Sequence, residues 1–162
     1  MISTSTRIED LTLNISEEIH VRAPIDVTFA ALLEELGPLH EVAEDRKLPM
    51  KLELWPGGRW YRDLGDNNGH FWGRVQAIKR PTLLEICGPL IMSYPISNNL
   101  QYRLSEVEGG TLIKFRHTAL GLIREDDRHV AQGWSYSHAR LKERVEALRA
   151  GKAAVGAIKH QF

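Results

Sequence analysis

The last third of the chain carries the clearest pattern. From about Asp126 onward, Val130, Trp134, His138, Leu141, Val145 and Leu148 recur at steps of three or four residues. That spacing aligns them on one face of an α-helix. About 23 helical residues span roughly 35 Å, whereas a seven-residue strand spans roughly 23 Å. One strand cannot cover such a face. The helix is expected to lie across several strands, and a sheet curled around it tends to leave an apolar pocket between the two.

Upstream the period is mostly two. Residues 9–22 read as a strand in which Leu11, Leu13 and Ile15 alternate, with Ile19 and Val21 after an expected phase change at Ser16-Glu17 that suggests a bulge or a twist. Pro24 then opens a short helix, where its missing N–H costs nothing. The predicted buried stripe is Val27, Ala30, Ala31 and Leu33, with Phe29 near the edge. Gly37 is expected in the left-handed C′ conformation, and Pro38 stops the helix. A second short helix is expected over residues 39–45. Strands follow at residues 51–55, 59–63, 70–78, 83–87, 100–107 and 111–118, separated by turn words such as Pro56-Gly57-Gly58 and Gly65-Asp66-Asn67-Asn68-Gly69. Residues 94–99 read as an irregular connection. The meander order predicts an antiparallel sheet with one buried and one solvated face. Residues 1–8 are expected to fray. The tail, residues 151–162, is expected either to move freely or to pack through Val155, Ile158 and Phe162.

Composition narrows the classes. The chain has 162 residues with 21 basic and 21 acidic side chains, so its formal charge is zero. A single domain is expected, and neither nucleic acid nor an anionic membrane surface is suggested as a partner. Cys87 is the only cysteine, which excludes an internal disulfide and a multi-cysteine metal site and suits a reducing cytoplasm. The N-terminus has no signal-peptide pattern, and no apolar run approaches the length of a membrane span.

Several words in order carry a resemblance. They are Ile19-His20-Val21-Arg22-Ala23-Pro24 entering the first helix, Pro56-Gly57-Gly58-Arg59-Trp60 at a strand turn, and Gly73-Arg74-Val75-Gln76-Ala77-Ile78 before Pro81. His117 ending the last strand and Gly133-Trp134 on the long helix complete the set. Over roughly residues 10–149 the chain resembles the START and birch-pollen-allergen superfamily, also called SRPBCC, and within it the Aha-type subfamily named for a heat-shock chaperone ATPase activator. The resemblance implies an α+β helix-grip fold. A curved antiparallel sheet of about seven strands would wrap a long C-terminal helix, with two short helices after the first strand. It also implies a cavity between sheet and helix, for which a small hydrophobic molecule is the expected partner; no cofactor is expected. A chaperone is the alternative partner. The superfamily includes lipid carriers, cyclases and co-chaperone domains, so it does not fix one activity.

The candidate cavity-lining residues are Trp60, Phe71, Val75, Tyr102, Phe115, His117, Trp134 and His138. Alternation places Ile113, Phe115 and His117 on the buried face. His117 then reads first as a core histidine held by hydrogen bonds, and second as a polar handle able to orient a ligand or move a proton. A cyclase- or hydrolase-like enzyme would use it with Arg62, Tyr102 or His138. Two histidines without a third ligand do not make a zinc site, and no catalytic motif is present. Trp60, Phe71 and Tyr102 are expected inward. Tyr61 and Trp72 are expected on the outer face, where an exposed Trp72 would offer a homodimer contact.

Overall fold

The computed structural model describes residues 5–159, with side chains as far as Gly151. A 3-10 turn, Ile8–Leu11, leads into β1 (Thr12–Val21). After α1 (Ile25–Leu36) comes a small hairpin of β2 (Glu41–Ala43) and β3 (Arg46–Lys47). The main sheet continues through β4 (Lys51–Leu52), β5 (Arg59–Gly65), β6 (Asn68–Lys79), β7 (Leu83–Gly88), β8 (Ile96–Val107) and β9 (Gly110–Gly121). A second 3-10 turn, Asp126–His129, runs directly into α2 (Val130–Lys159). The seven-stranded sheet has the order β1-β9-β8-β7-β6-β5-β4 and is antiparallel throughout. It curves around α2, which makes this an α+β helix-grip fold.

The concave face takes the core. Leu84, Ile86, Leu100, Tyr102, Ile113 and Phe115 from the middle strands meet Trp134, Leu141 and Val145 of α2. Leu148 does not join them. It is solvent-exposed, because the helix has by then run past the sheet. Nor does Gly151 end α2, which continues to Lys159. The expected packing of Val155, Ile158 and Phe162 lies outside the described side chains.

Local departures from expectation have physical causes. β1 pairs with β9 in unbroken register from Thr12–Leu120 to Val21–Thr111, so the bulge at Ser16-Glu17 is absent. Leu13, Ile15, Glu17, Ile19 and Val21 share one face, and Glu17 keeps the phase because polar groups of α2 meet it there. On α1 the buried face is Thr28, Phe29, Ala31, Leu32, Glu35 and Leu36, while Val27 and Ala30 face solvent. This rotation follows Glu35, which is 1% exposed and faces two arginines of α2. Gly37 closes α1 at φ −104°, not in the left-handed region, although a Cβ there would stand 2.9 Å from the Leu33 carbonyl oxygen. The second short helix is replaced by the β2–β3 hairpin. Its turn puts Asp45 at φ +59°, and its strands hold His40 and Glu41 against the rest of the molecule. Residues 53–55 lie outside β4, and β8 begins at Ile96, earlier than its apolar pattern.

One bulge matters most for the site. Trp60 of β5 pairs with Gly73 of β6, but its neighbour Tyr61 pairs with Phe71. Trp72 is the extra residue. It turns into the core at 5% exposure, while Phe71 is 41% exposed on the convex face beside Tyr61. The outer cross-strand pair is therefore Tyr61–Phe71, and Trp72 offers no outer-face contact. Gly73 permits this, since a Cβ there would stand 2.7 Å from the Cys87 carbonyl oxygen.

Candidate ligand pocket

The bulge sets Trp72 beside Trp60 with ring centroids 5.1 Å apart and planes near perpendicular. The β2–β3 hairpin lays His40 across both, 5.9 Å from Trp60 and 5.6 Å from Trp72, again edge to face. Trp134, on the first turns of α2, faces them. Between these rings and the loop of residues 89–95 lies a pocket of about 750 Å³, a size suited to a small organic ligand. Its inner wall is built from the three tryptophans with Leu90 and Met92. The rim carries the exposed Arg46, Ile91, Asp126 and His129.

An indole is a hydrogen-bond donor only, and all three here donate to protein. Trp60 Nε1–H donates to the Leu36 carbonyl at 2.7 Å. Trp72 donates to Nδ1 of His70 and Trp134 to Nδ1 of His117, each at 3.1 Å. The His117 ring, accepting at Nδ1, carries its proton on Nε2 and donates it to Asn98 Oδ1 at 2.7 Å. Asn98 Nδ2 then reaches the Pro89 carbonyl and Met92 Sδ. This chain runs from the helix wall through the sheet to the loop wall. His117 is therefore a satisfied core histidine that positions two sides of the pocket. Its protein partners occupy both ring nitrogens.

Burial lowers His117 from its ordinary value of 6.5 to about 4. His40 also falls to about 4, through burial first and then the Arg140 charge, with the Glu35 carbonyl opposing. Unfolding frees both rings to bind protons at the ordinary value. The unfolded state therefore takes up more protons between pH 6.5 and 4, and stability falls as pH drops through that window. We expect a plateau above about pH 6.5 and a loss of roughly 2 kcal/mol per histidine by pH 5. Urea unfolding at pH 7, 6 and 5 measures this, and a midpoint unchanged across that series would contradict it.

A second polar chain lies deeper. Tyr102 O–H donates to His138 Nε2 at 3.0 Å, and His138 Nδ1–H donates to Glu17 at 3.1 Å. Ser135 Oγ–H donates to the other Glu17 oxygen at 2.6 Å. Burial pushes the Tyr102 phenol well up, aided by Glu17, and pulls His138 down against the opposing Glu17 charge. Hydroxyl, imidazole and carboxylate follow the order of an activated nucleophile. Yet Tyr102 is sealed in the core and does not line the pocket, so this chain holds α2 to β1 and β8.

Of the eight residues picked from sequence, the structure puts Trp60 and Trp134 on the pocket wall. Val75, Tyr102, Phe115, His117 and His138 pack behind it. Phe115 is wedged among Tyr102, Trp134 and His138 with centroids 4.7–5.1 Å away. Phe71 lies outside, under the Arg74 guanidinium at 5.4 Å. Arg62 stands across from His70 on β5, in a different part of the sheet from His117. Sequence reasoning missed His40, Trp72, Leu90, Met92 and Ser137. Gly73 beside Trp72 was the available sign of a bulge. Nothing marks His40 before the hairpin is known.

The family model described as Activator of Hsp90 ATPase homolog 1-like protein matches residues 22–146. The chain belongs to this family. Solved structures of similar fold include a Rhizobium leguminosarum protein at 20% identity and TM-score 0.65, covering 84% of this chain and 95% of that one. Ara h 8.0201 gives TM-score 0.65 at 14% identity, covering 84% and 99%. The Aha1 dimer from Colwellia psychrerythraea gives 0.64 at 16% identity, covering 83% and 96%. At these identities the family member shares their fold, and nothing finer follows. No curated protein matches it in sequence.

Proposed function

We propose that this family member binds a small, flat, largely apolar molecule in the pocket beside the N-terminal end of α2. One observation carries the reading. Trp72 and Trp134, backed by the buried Trp60, floor a pocket of about 750 Å³, and all three indole N–H groups are engaged by protein, so these rings turn only carbon toward it. Apolar contact of this kind favours rigid aromatic or polycyclic ligands. The binding test is a titration with fluorene followed by tryptophan fluorescence, with native mass spectrometry for stoichiometry. One saturable site with quenched emission is the expected result. No saturable binding of fluorene, of its substituted forms or of fatty acids up to their solubility limits would overturn the reading.

A second reading, a regulator that binds a heat-shock chaperone, draws on the family's description and on the convex face. There Phe71 and Tyr61 lie side by side, each capped by an arginine. Absence of association with the chaperone at micromolar concentration would end it. An enzyme acting through His117 has the least support, because both ring nitrogens already serve Trp134 and Asn98.

A further inference from the structure

The pocket has a polar sense as well as an apolar one. His40 is 4% exposed and lines the pocket. Its Nδ1 lies 3.2 Å from the Glu35 carbonyl oxygen, which can only accept, so the proton sits on Nδ1. Nε2 then carries a bare lone pair, and among the described residues no protein group bonds to it. Among the described residues no fully enclosed side-chain nitrogen or oxygen lacks a hydrogen bond. Nε2 therefore keeps contact with open volume, and the volume against His40 is the pocket. The ring is uncharged at neutral pH because burial and Arg140 hold it to about 4.

The remaining buried polar groups of the wall agree. Ser137 Oγ–H is turned to Glu35, and the indole donors are turned to Leu36, His70 and His117. Glu41 and Asp127 present carboxylates, which only accept. The side-chain donors still free, Arg46 and His129, are exposed at the rim. The buried wall thus accepts hydrogen bonds and donates none from its side chains.

We infer that the pocket selects an apolar ring system bearing one hydrogen-bond donor, a hydroxyl or N–H, which His40 Nε2 receives. The inference rests on the binding role proposed above and narrows its ligand class. A ligand whose polar atom only accepts finds no partner on this wall and leaves His40 unpaired, whereas a hydroxyl satisfies both. Leaving a buried acceptor unpaired is worth about tenfold in affinity.

The experiment compares 2-hydroxyfluorene with 2-fluorofluorene, which is similar in size but cannot donate, by isothermal titration of the wild-type protein and of His40→Phe and His40→Gln. In the wild type the hydroxyl compound should bind about tenfold tighter. His40→Phe should erase that preference, bringing the ratio of the two affinities to about one. His40→Gln, whose amide can donate to Glu35 and still accept, should restore part of it. A fourth reading needs no variant: the His40 Nε2 nitrogen resonance should shift with the hydroxyl compound and stay put with the fluoro compound. Equal affinity of the two for the wild type overturns the donor inference and leaves the binding role intact. Binding of neither overturns the donor inference, and overturns the binding role as well if fluorene and fatty acids also fail to bind.

Discussion

Trp60→Ala is expected to destabilise the fold by about 4 kcal/mol, the largest single effect in the molecule. The indole is completely buried, stacks edge-on against Trp72 and His40, and bonds the Leu36 carbonyl at the end of α1. Truncation therefore opens a cavity, removes two aromatic contacts and orphans a carbonyl that lies away from water. Urea unfolding should show a lower midpoint with little change in slope. Trp55→Ala is the control. That side chain is exposed, and its loss should stay within about 0.5 kcal/mol. A Trp60→Ala protein as stable as wild type would mean that the three-ring contact beneath the hairpin does not form.

Glu35→Ala comes next, at about 3 kcal/mol. Glu35 is the buried acid of α1. It accepts from Arg140 at 2.9 Å and from Arg144 and Ser137, while Arg140 also reaches Glu41 at 3.2 Å. Arg144 bonds the Ala31 carbonyl as well, so the cluster joins α1, α2 and the hairpin. Removing the acid alone leaves the Arg144 guanidinium without a carboxylate partner, beside an Arg140 that keeps only Glu41. Replacing Glu35 and Arg144 together by leucine should recover most of the loss, because the whole pair goes and apolar contact takes its place. Chemical denaturation of both variants decides this. A single mutant no worse than the double would show that the charge left behind is not the source of the penalty. The exposed Lys51–Asp63 pair, by contrast, should leave the midpoint unmoved when broken.

These two clusters mark where the sequence could and could not be read. The long helix, the antiparallel meander and the inward set around Tyr102, Phe115 and His117 follow from periodicity, because burial on a regular element repeats. The errors fall where a polar or irregular group sets the orientation. Glu35 rotates α1 away from its most apolar stripe. Trp72 and Phe71 exchange faces because one inserted residue reverses the count along β6. His40 sits in a segment whose hydrophobic pattern is too thin to distinguish a short helix from a hairpin, and its neighbours come from residues far along the chain. The pocket depends on all of these, so its wall was only partly legible. His117 was placed correctly on the inner face, yet its task is to orient Trp134 and Asn98, a role visible only once both partners are in place.

The half-buried carboxylate of Glu17 has a consequence for how the sheet assembles. Hydrophobic alternation alone would accept β1 displaced by two positions along β9, since apolar side chains would still point inward. Such a displacement would carry the carboxylate about 7 Å from its imidazole and strand the His138 N–H without an acceptor. The acid thus works as an alignment key. It penalises misregistered pairing that greasy contacts cannot tell from the correct one.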